Sequence, residues 1–469
     1  MKNIKLIARI ALMALILVCA VILCACAKDE TTTLYVYNWG EYIADGTEGS
    51  ADVNALFEQY YYEKTGKRVK VNYSTFSSCE DMYARVSSGV ASYDVIIPSD
   101  YIIDRMRVEG LLLPIYPEKN VENYKYINDN FKNLPYDPDN VYSVPYFYGM
   151  IGVIYNSEMV DEDEENIGSW KLMWDEDYAG DILQFNNSRD AFGVSMYSLG
   201  YGNYINSSED KYWNEALDHL LEQKSIVQGY VMDEIFNKME GGSAAVAAYY
   251  AGDYLTMYEF NDSLEFYYPT EGTNYYVDAM CVPTTSKNPE IAIEYINFMT
   301  GGETEIDGEV YNISVENALM TYYASPNELV YTDEYYFKYM EDYFTDEERE
   351  EDGEEGIRPG TMAILYPEEL PAILEARGMT EEEYFSGELD PDKLALWTKP
   401  EIVTMYANLE PDDLVRLNIL WEKLKIKSDI GNRIYITCGV IVAALIFLAV
   451  YFGVRKKRRE KYYTPKDTK

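Results

Sequence analysis

Trp39, Glu41 and Tyr42 fall within one short stretch, and Tyr276 stands two residues before Asp278. These residue types at these spacings suit an alkylammonium group. A carboxylate accepts charge-assisted hydrogen bonds from such a group, each contributing about 1.5–3 kcal/mol. An aromatic face adds cation–π attraction and covers methylenes, the latter contributing about 0.8 kcal/mol per buried CH₂. The same types also build ordinary cores and surfaces, with Trp and Tyr inside and acids outside, so residue type alone leaves both readings open.

Other chemistries find little support. The one His, His219, speaks against a His-ligated metal site or a His-based triad, and it lies in the helix-like stretch Ala216–Leu221. Lys67 follows Gly66, but Tyr61 occupies the place of the first P-loop glycine. A G-x-S-x-G nucleophile elbow is absent from the sequence. With 81 acidic residues, a glycosidase-like pair can be drawn almost anywhere, which strips such a pair of meaning. The acidic run Asp346–Glu355 reads as a solvated loop or helix end. No enzyme, cofactor or resident metal is expected.

The elements that hold the ammonium-type residues follow from periodicity. Leu34–Tyr37 and Val69–Tyr73 read as strands, and Val95–Ile97 as a third that ends at Pro98. Between them Val53, Leu56, Phe57, Tyr60 and Tyr61 keep helical spacing, with Ser50 as cap and Gly66 as stop. Further helices are expected around Glu80–Val86 and over Tyr101–Glu109. This alternation predicts an α/β layer with a mainly parallel sheet, whose ligands collect at the carboxyl ends of strands. Asn38–Tyr42 and Ser99–Tyr101 fall at such ends. Tyr142–Gly149 is extended and Pro-punctuated, either a crossover between lobes or a buried strand. A second αβ set runs to about Pro269, Tyr276–Pro283 reads as a return strand, and Leu414–Leu424 as an amphipathic helix.

The length of 469 residues allows two or three domains of about 150 residues, and 15% aromatic content excludes a disordered acidic chain. A net charge of −42 argues against nucleic acid. That charge is uneven. Removing the basic ends leaves 28 basic against 79 acidic residues in 27–433, a net of −51. Residues 1–25 read as a signal peptide, and Leu23-Cys-Ala-Cys26 resembles a bacterial lipobox with Cys26 as the lipidated residue. An uncleaved signal anchor is the alternative. Ile434–Val454 is long enough to span a bilayer, and the basic tail 455–469 places its own side in the cytoplasm. The intervening region is therefore expected outside a cell membrane. There Cys79 and Cys281 are the remaining cysteines; the sequence does not pair them, and Cys281 reads as a buried thiol.

From about Thr33 to Asn317 the chain resembles the extracytoplasmic spermidine/putrescine-binding proteins of bacterial polyamine ABC transporters. The resemblance rests on the order and spacing of Leu34-Tyr-Val-Tyr-Asn-Trp-Gly-Glu-Tyr42, Tyr93-Asp-Val-Ile-Ile-Pro-Ser-Asp-Tyr101, Tyr142-Ser-Val-Pro-Tyr146 and Asn187-Ser-Arg-Asp-Ala-Phe192. It implies a type II, two-lobed periplasmic-binding-protein fold with crossover strands as hinge. The expected lobes are residues 31–148 with 277–318, and 149–276 with 319–428. In that pattern Trp39 and Tyr42 fall on aromatic cleft positions, Glu41 on an amine-contacting acid, and Ser99 and Tyr101 on a polar rim. Asp190 and Asp278 fall on carboxylate positions, and Tyr249 and Tyr276 on positions usually held by Trp.

Three departures accompany the resemblance. Asn187 stands where the spermidine-binding pattern has Asp, so one amine would lose its anionic partner. Tyr replaces Trp at 249 and 276, and Thr304–Ser314 is irregular, so the family's Gln contact is not transferred. The resemblance implies capture of putrescine or spermidine outside the cell, with a permease and a separate ATPase subunit as partners. The rivals are the same fold binding another cation or an amino acid, and a sensory ectodomain. The short tail after Val454 counts against the last.

Overall fold

The structure, a computed structural model, describes residues 31–425 apart from 48, 346–347, 350–352, 354 and 386–394. The expected leader 1–25, Cys26, the apolar run 434–454 and the tail 455–469 lie outside the described residues. Among the described residues, no helix is long and apolar enough to cross a membrane.

One ten-stranded sheet organises the chain, and it is mixed rather than mainly parallel. In its first half β1 (Thr32–Trp39) lies between β2 (Val69–Phe76) and β3 (Val95–Ile96), all parallel. β4 (Ser143–Asn156) then runs on through both halves. The second half holds β5 (Ile182–Phe185), β6 (Val227–Val231) and β7 (Val246–Tyr250), with β5 parallel to both neighbours. β8 (Leu264–Tyr267) and β9 (Thr273–Cys281) complete it.

The antiparallel pairings belong mainly to the connections between halves. The first part of β4 pairs with β9, Ser143 opposite Cys281 through Met150 opposite Tyr275. Its last part pairs with β7 and β8 instead. Nearly every residue of β4 is buried, which explains its unbroken apolar and aromatic run. The Tyr142–Gly149 segment is thus both a crossover and a buried strand.

The expected helices form with shifted ends. Val53–Thr65 is capped by Asp52, whose side chain accepts the Ala55 N–H at 2.9 Å, and not by Ser50. The Ser50 hydroxyl serves the preceding turn, donating to the Thr47 carbonyl at 2.8 Å. Helices cover Cys79–Ser87 and Asp100–Val108, and residues 411–425 form the last described helix. The irregular 304–314 stretch is a hairpin of β10 (Glu303–Ile306) and β11 (Glu309–Asn312) followed by a helix. A further short strand, β12 (Val403–Thr404), adds to β9. His219 lies in the helix Asp210–Gln223, its ring stacked on Trp174 at 4.1 Å. Cys79 and Cys281 are both buried and free. Ala324–Asn327 pack on the first half, with Asn327 bridging Ile127, Ala324 bridging Tyr148, and the Asn128 N–H donating to the Pro326 carbonyl.

Candidate functional site

All ten binding residues expected from the sequence line a single cleft between the two halves. The cleft encloses about 790 Å³, counting its mouth.

At the carboxyl end of β1 the chain turns sharply, with Glu41 in the left-handed region (φ 47°). That turn leaves Glu41 exposed at the mouth and sends Tyr42 inward, where it is buried. Trp39 packs its ring on Phe76 at 4.5 Å. Across the sheet, Tyr276 and Asp278 sit two apart on β9 and so face the same side. The Tyr42 hydroxyl donates to Asp278 Oδ2 at 2.7 Å. Asp278 is 4% exposed, yet its Oδ1 has no hydrogen-bond partner, and neither has the Tyr276 hydroxyl. Burial pushes the Asp278 carboxyl up to about 6, with the hydroxyls of Ser99 and Tyr42 opposing and the charge of Asp190 adding. Buried polar groups without partners are uncommon, and both open onto the cleft.

Ser99 opposes Asp278 in an isolated bridge and precedes the helix Asp100–Val108. Buried Asp100 ties that helix start to β9, accepting the Val277 N–H at 3.2 Å. Tyr101 donates to Glu80 at 3.2 Å.

The second half supplies the facing wall. Asn187 caps the helix Ser188–Ser198 by accepting the Asp190 N–H at 2.8 Å. An acid in the first helical turn is favoured by the helix dipole. Asp190 Oδ2 accepts from the Asn187 amide and from the Tyr250 hydroxyl, the latter at 2.7 Å. Tyr249 stacks on Phe185 at 5.3 Å, while Tyr250 crosses Tyr276 edge-on at the same separation.

Among the cleft residues not expected from the sequence are Tyr250, Asp253, Tyr323 and Tyr406. Tyr250 was legible as the neighbour of Tyr249. Asp253 lies in the first turn of the helix Ala251–Phe260, and burial pushes its carboxyl up to about 8. The hydroxyl of Tyr323 opposes that rise, whereas Asp233, Glu41 and Asp278 add to it. Tyr323 packs edge-on against Tyr42 at 4.6 Å. Tyr406, just after β12, brings its ring over the Arg189 guanidinium at 4.3 Å and edge-on to Tyr101 at 6.1 Å. Nothing in the local pattern of 370–405 announces that approach. Among the described residues, no group of His, Cys, Asp and Glu is arranged to hold a metal ion.

A cleft of this kind, set where two α/β halves meet over paired crossover strands, is the architecture of an extracytoplasmic solute-binding protein. The sequence agrees. The family model described as bacterial extracellular solute-binding protein matches residues 55–308, more than half of the chain, and the chain belongs to that family. It is 31% identical over 276 residues to the spermidine/putrescine-binding periplasmic protein of Escherichia coli K12, covering 59% of this chain and 74% of that one. The putrescine-binding periplasmic protein PotF of the same organism is 25% identical over 289 residues, 58% of this chain and 74% of its own. Among solved structures, the spermidine/putrescine ABC transporter substrate-binding protein PotD of Streptococcus pneumoniae superposes with a TM-score of 0.55 at 26% identity. That match covers 84% of this chain and 99% of PotD.

Proposed function

We propose that this chain is the substrate-binding component of an ABC transporter, capturing a polyamine, putrescine or spermidine, outside the cell for import. The observation that carries the reading is Asp278: a buried carboxylate with one oxygen unpartnered, beside the rings of Tyr42 and Tyr276. Trp39, Tyr249, Tyr250 and Tyr323 add apolar wall for methylenes, while Glu41, Asp190 and Asp253 contribute negative charge. Ser99, Tyr101 and Asn187 form its polar rim. The names of the curated relatives support the ligand class.

The two halves act as lobes, residues 31–148 with 277–318 and 149–276 with 319–428, except that Ala324–Asn327 move with the first. β4 and β9 serve as hinge, and ligand closes the lobes over itself. The protein is a receptor and not an enzyme; permease and ATPase are other chains. Cleavage after Ala25 and lipid on Cys26, with Ile434–Val454 as a span, hold it on the outer face of the cell membrane. Mass spectrometry of the mature N-terminus tests the leader, because an intact Met1 rejects cleavage. The ligand is tested by a melting panel of polyamines and amino acids. At about 100 times Kd a true ligand stabilises by about 2.7 kcal/mol, and a panel in which no polyamine shifts the melting point overturns the reading.

A further inference from the structure

The cleft treats charge differently along its length. On the β9 side Asp278 keeps Oδ1 unpartnered, and Asp253 feels the charges of Asp233, Glu41 and Asp278. No basic side chain is among the described residues that line the cleft. At Asp190 the situation is reversed. Its Oδ2 already accepts from the Asn187 amide and the Tyr250 hydroxyl. Arg189, next in the chain and 3% exposed, spends its three hydrogen bonds on neutral acceptors: the Ile205 carbonyl, the Asn206 side chain and the Ala407 carbonyl. Its positive charge is therefore not consumed by a direct ion pair there, and it acts on Asp190 through a low-dielectric interior.

We propose that the cleft holds two ammonium groups, not three, and selects a linear diamine over a triamine, with Asn187 as the specificity-determining residue. This rests on the polyamine reading above. At Asp190 the Asn187 amide and the Tyr250 hydroxyl both donate to Oδ2 and the Arg189 charge lies beside them, so the carboxylate a third ammonium would need is already partly offset. A cation brought there meets two donors already in place and the guanidinium beside them. The two charges of a diamine find their partners at Asp278 and at Asp253 with its acidic neighbours.

Isothermal titration of the full-length protein with putrescine and, separately, spermidine tests this. Putrescine is expected to bind at least tenfold more tightly, about 1.4 kcal/mol. The variant Asn187→Asp keeps the helix cap, since Asp accepts the Asp190 N–H as Asn does. It removes the amide donor from Asp190 and adds a negative charge, so the gap is expected to narrow about tenfold. Putrescine binding by the variant reports that it folds. Spermidine binding the wild type as tightly as putrescine overturns the diamine selection while leaving the polyamine reading intact. A gap that Asn187→Asp leaves unchanged overturns the role of Asn187. Heat from neither ligand overturns the polyamine reading, and this one with it.

Discussion

Asp253 and Asp278 give the empty and the filled cleft opposite responses to pH. Burial raises their carboxyls to about 8 and about 6, from an ordinary Asp value of about 3.9. A group whose pKa is raised on folding favours the fold below its unfolded value and loses that contribution as pH climbs through its folded value. The ligand-free protein should therefore lose stability between about pH 4 and 8 on account of this pair, seen as a melting point falling with pH. Binding has the opposite slope, because a proton on Asp253 occupies the charge an ammonium needs. At pH 7 a carboxyl of pKa about 8 is about nine-tenths protonated, so binding should release close to one proton. Calorimetry in two buffers of different ionisation enthalpy measures that number, and Asp253→Asn should abolish it. Affinity flat from pH 6 to 9 with no proton release would refute the assignment. Truncating the charge of the other acid, Asp278→Asn, should weaken polyamine binding by one to two orders of magnitude, about 1.5–3 kcal/mol. Asp278 was legible in the sequence through its spacing from Tyr276. Asp253 was one acid among 81, and only its burial at a helix start distinguishes it.

β4 and β9 hold the cleft aromatics in place by backbone pairing, and one glycine makes the fit possible. Gly149 pairs with Tyr276, and the Tyr276 phenol lies across it. A Cβ at 149 would stand 2.6 Å from the Tyr276 hydroxyl and 3.1 Å from its Cζ. The ring is rigid and β9 is paired on both sides, so Gly149→Ala must swing Tyr276 out of its position. Affinity should drop about tenfold, about 1.4 kcal/mol, alongside an overpacking cost of about 1–3 kcal/mol in stability. Titration calorimetry with chemical denaturation separates the two, and unchanged affinity would show that Tyr276 does not line the bound ligand. Strands β1 to β3, the helices between them and the strand-end residues were readable because periodicity and turn residues agree there. The mixed sheet was not, since β4 and β9 are buried at all but one position each and their apolar runs carry no sign of direction. Tyr406 escaped for a related reason: β12 is two residues long, and its place beside Thr273 and Asn274 is set by contacts more than a hundred positions away.

Across the whole molecule, charge and binding act over different ranges. Residues 27–433 carry 79 acidic against 28 basic side chains, and few of those acids touch the cleft. The remainder form a negative field that draws polycations toward the surface, screened over about 8 Å at physiological ionic strength and about 3 Å at 1 M salt. Within the cleft Asp278 and Asp253 are buried and screened far less. Salt should therefore act first on encounter. Stopped-flow measurement of polyamine association should show the on-rate falling several-fold between low and high salt, while the off-rate changes little. Were the off-rate to carry the whole salt dependence, the long-range field would contribute nothing to capture, and the excess acidity would have to be explained by solubility instead.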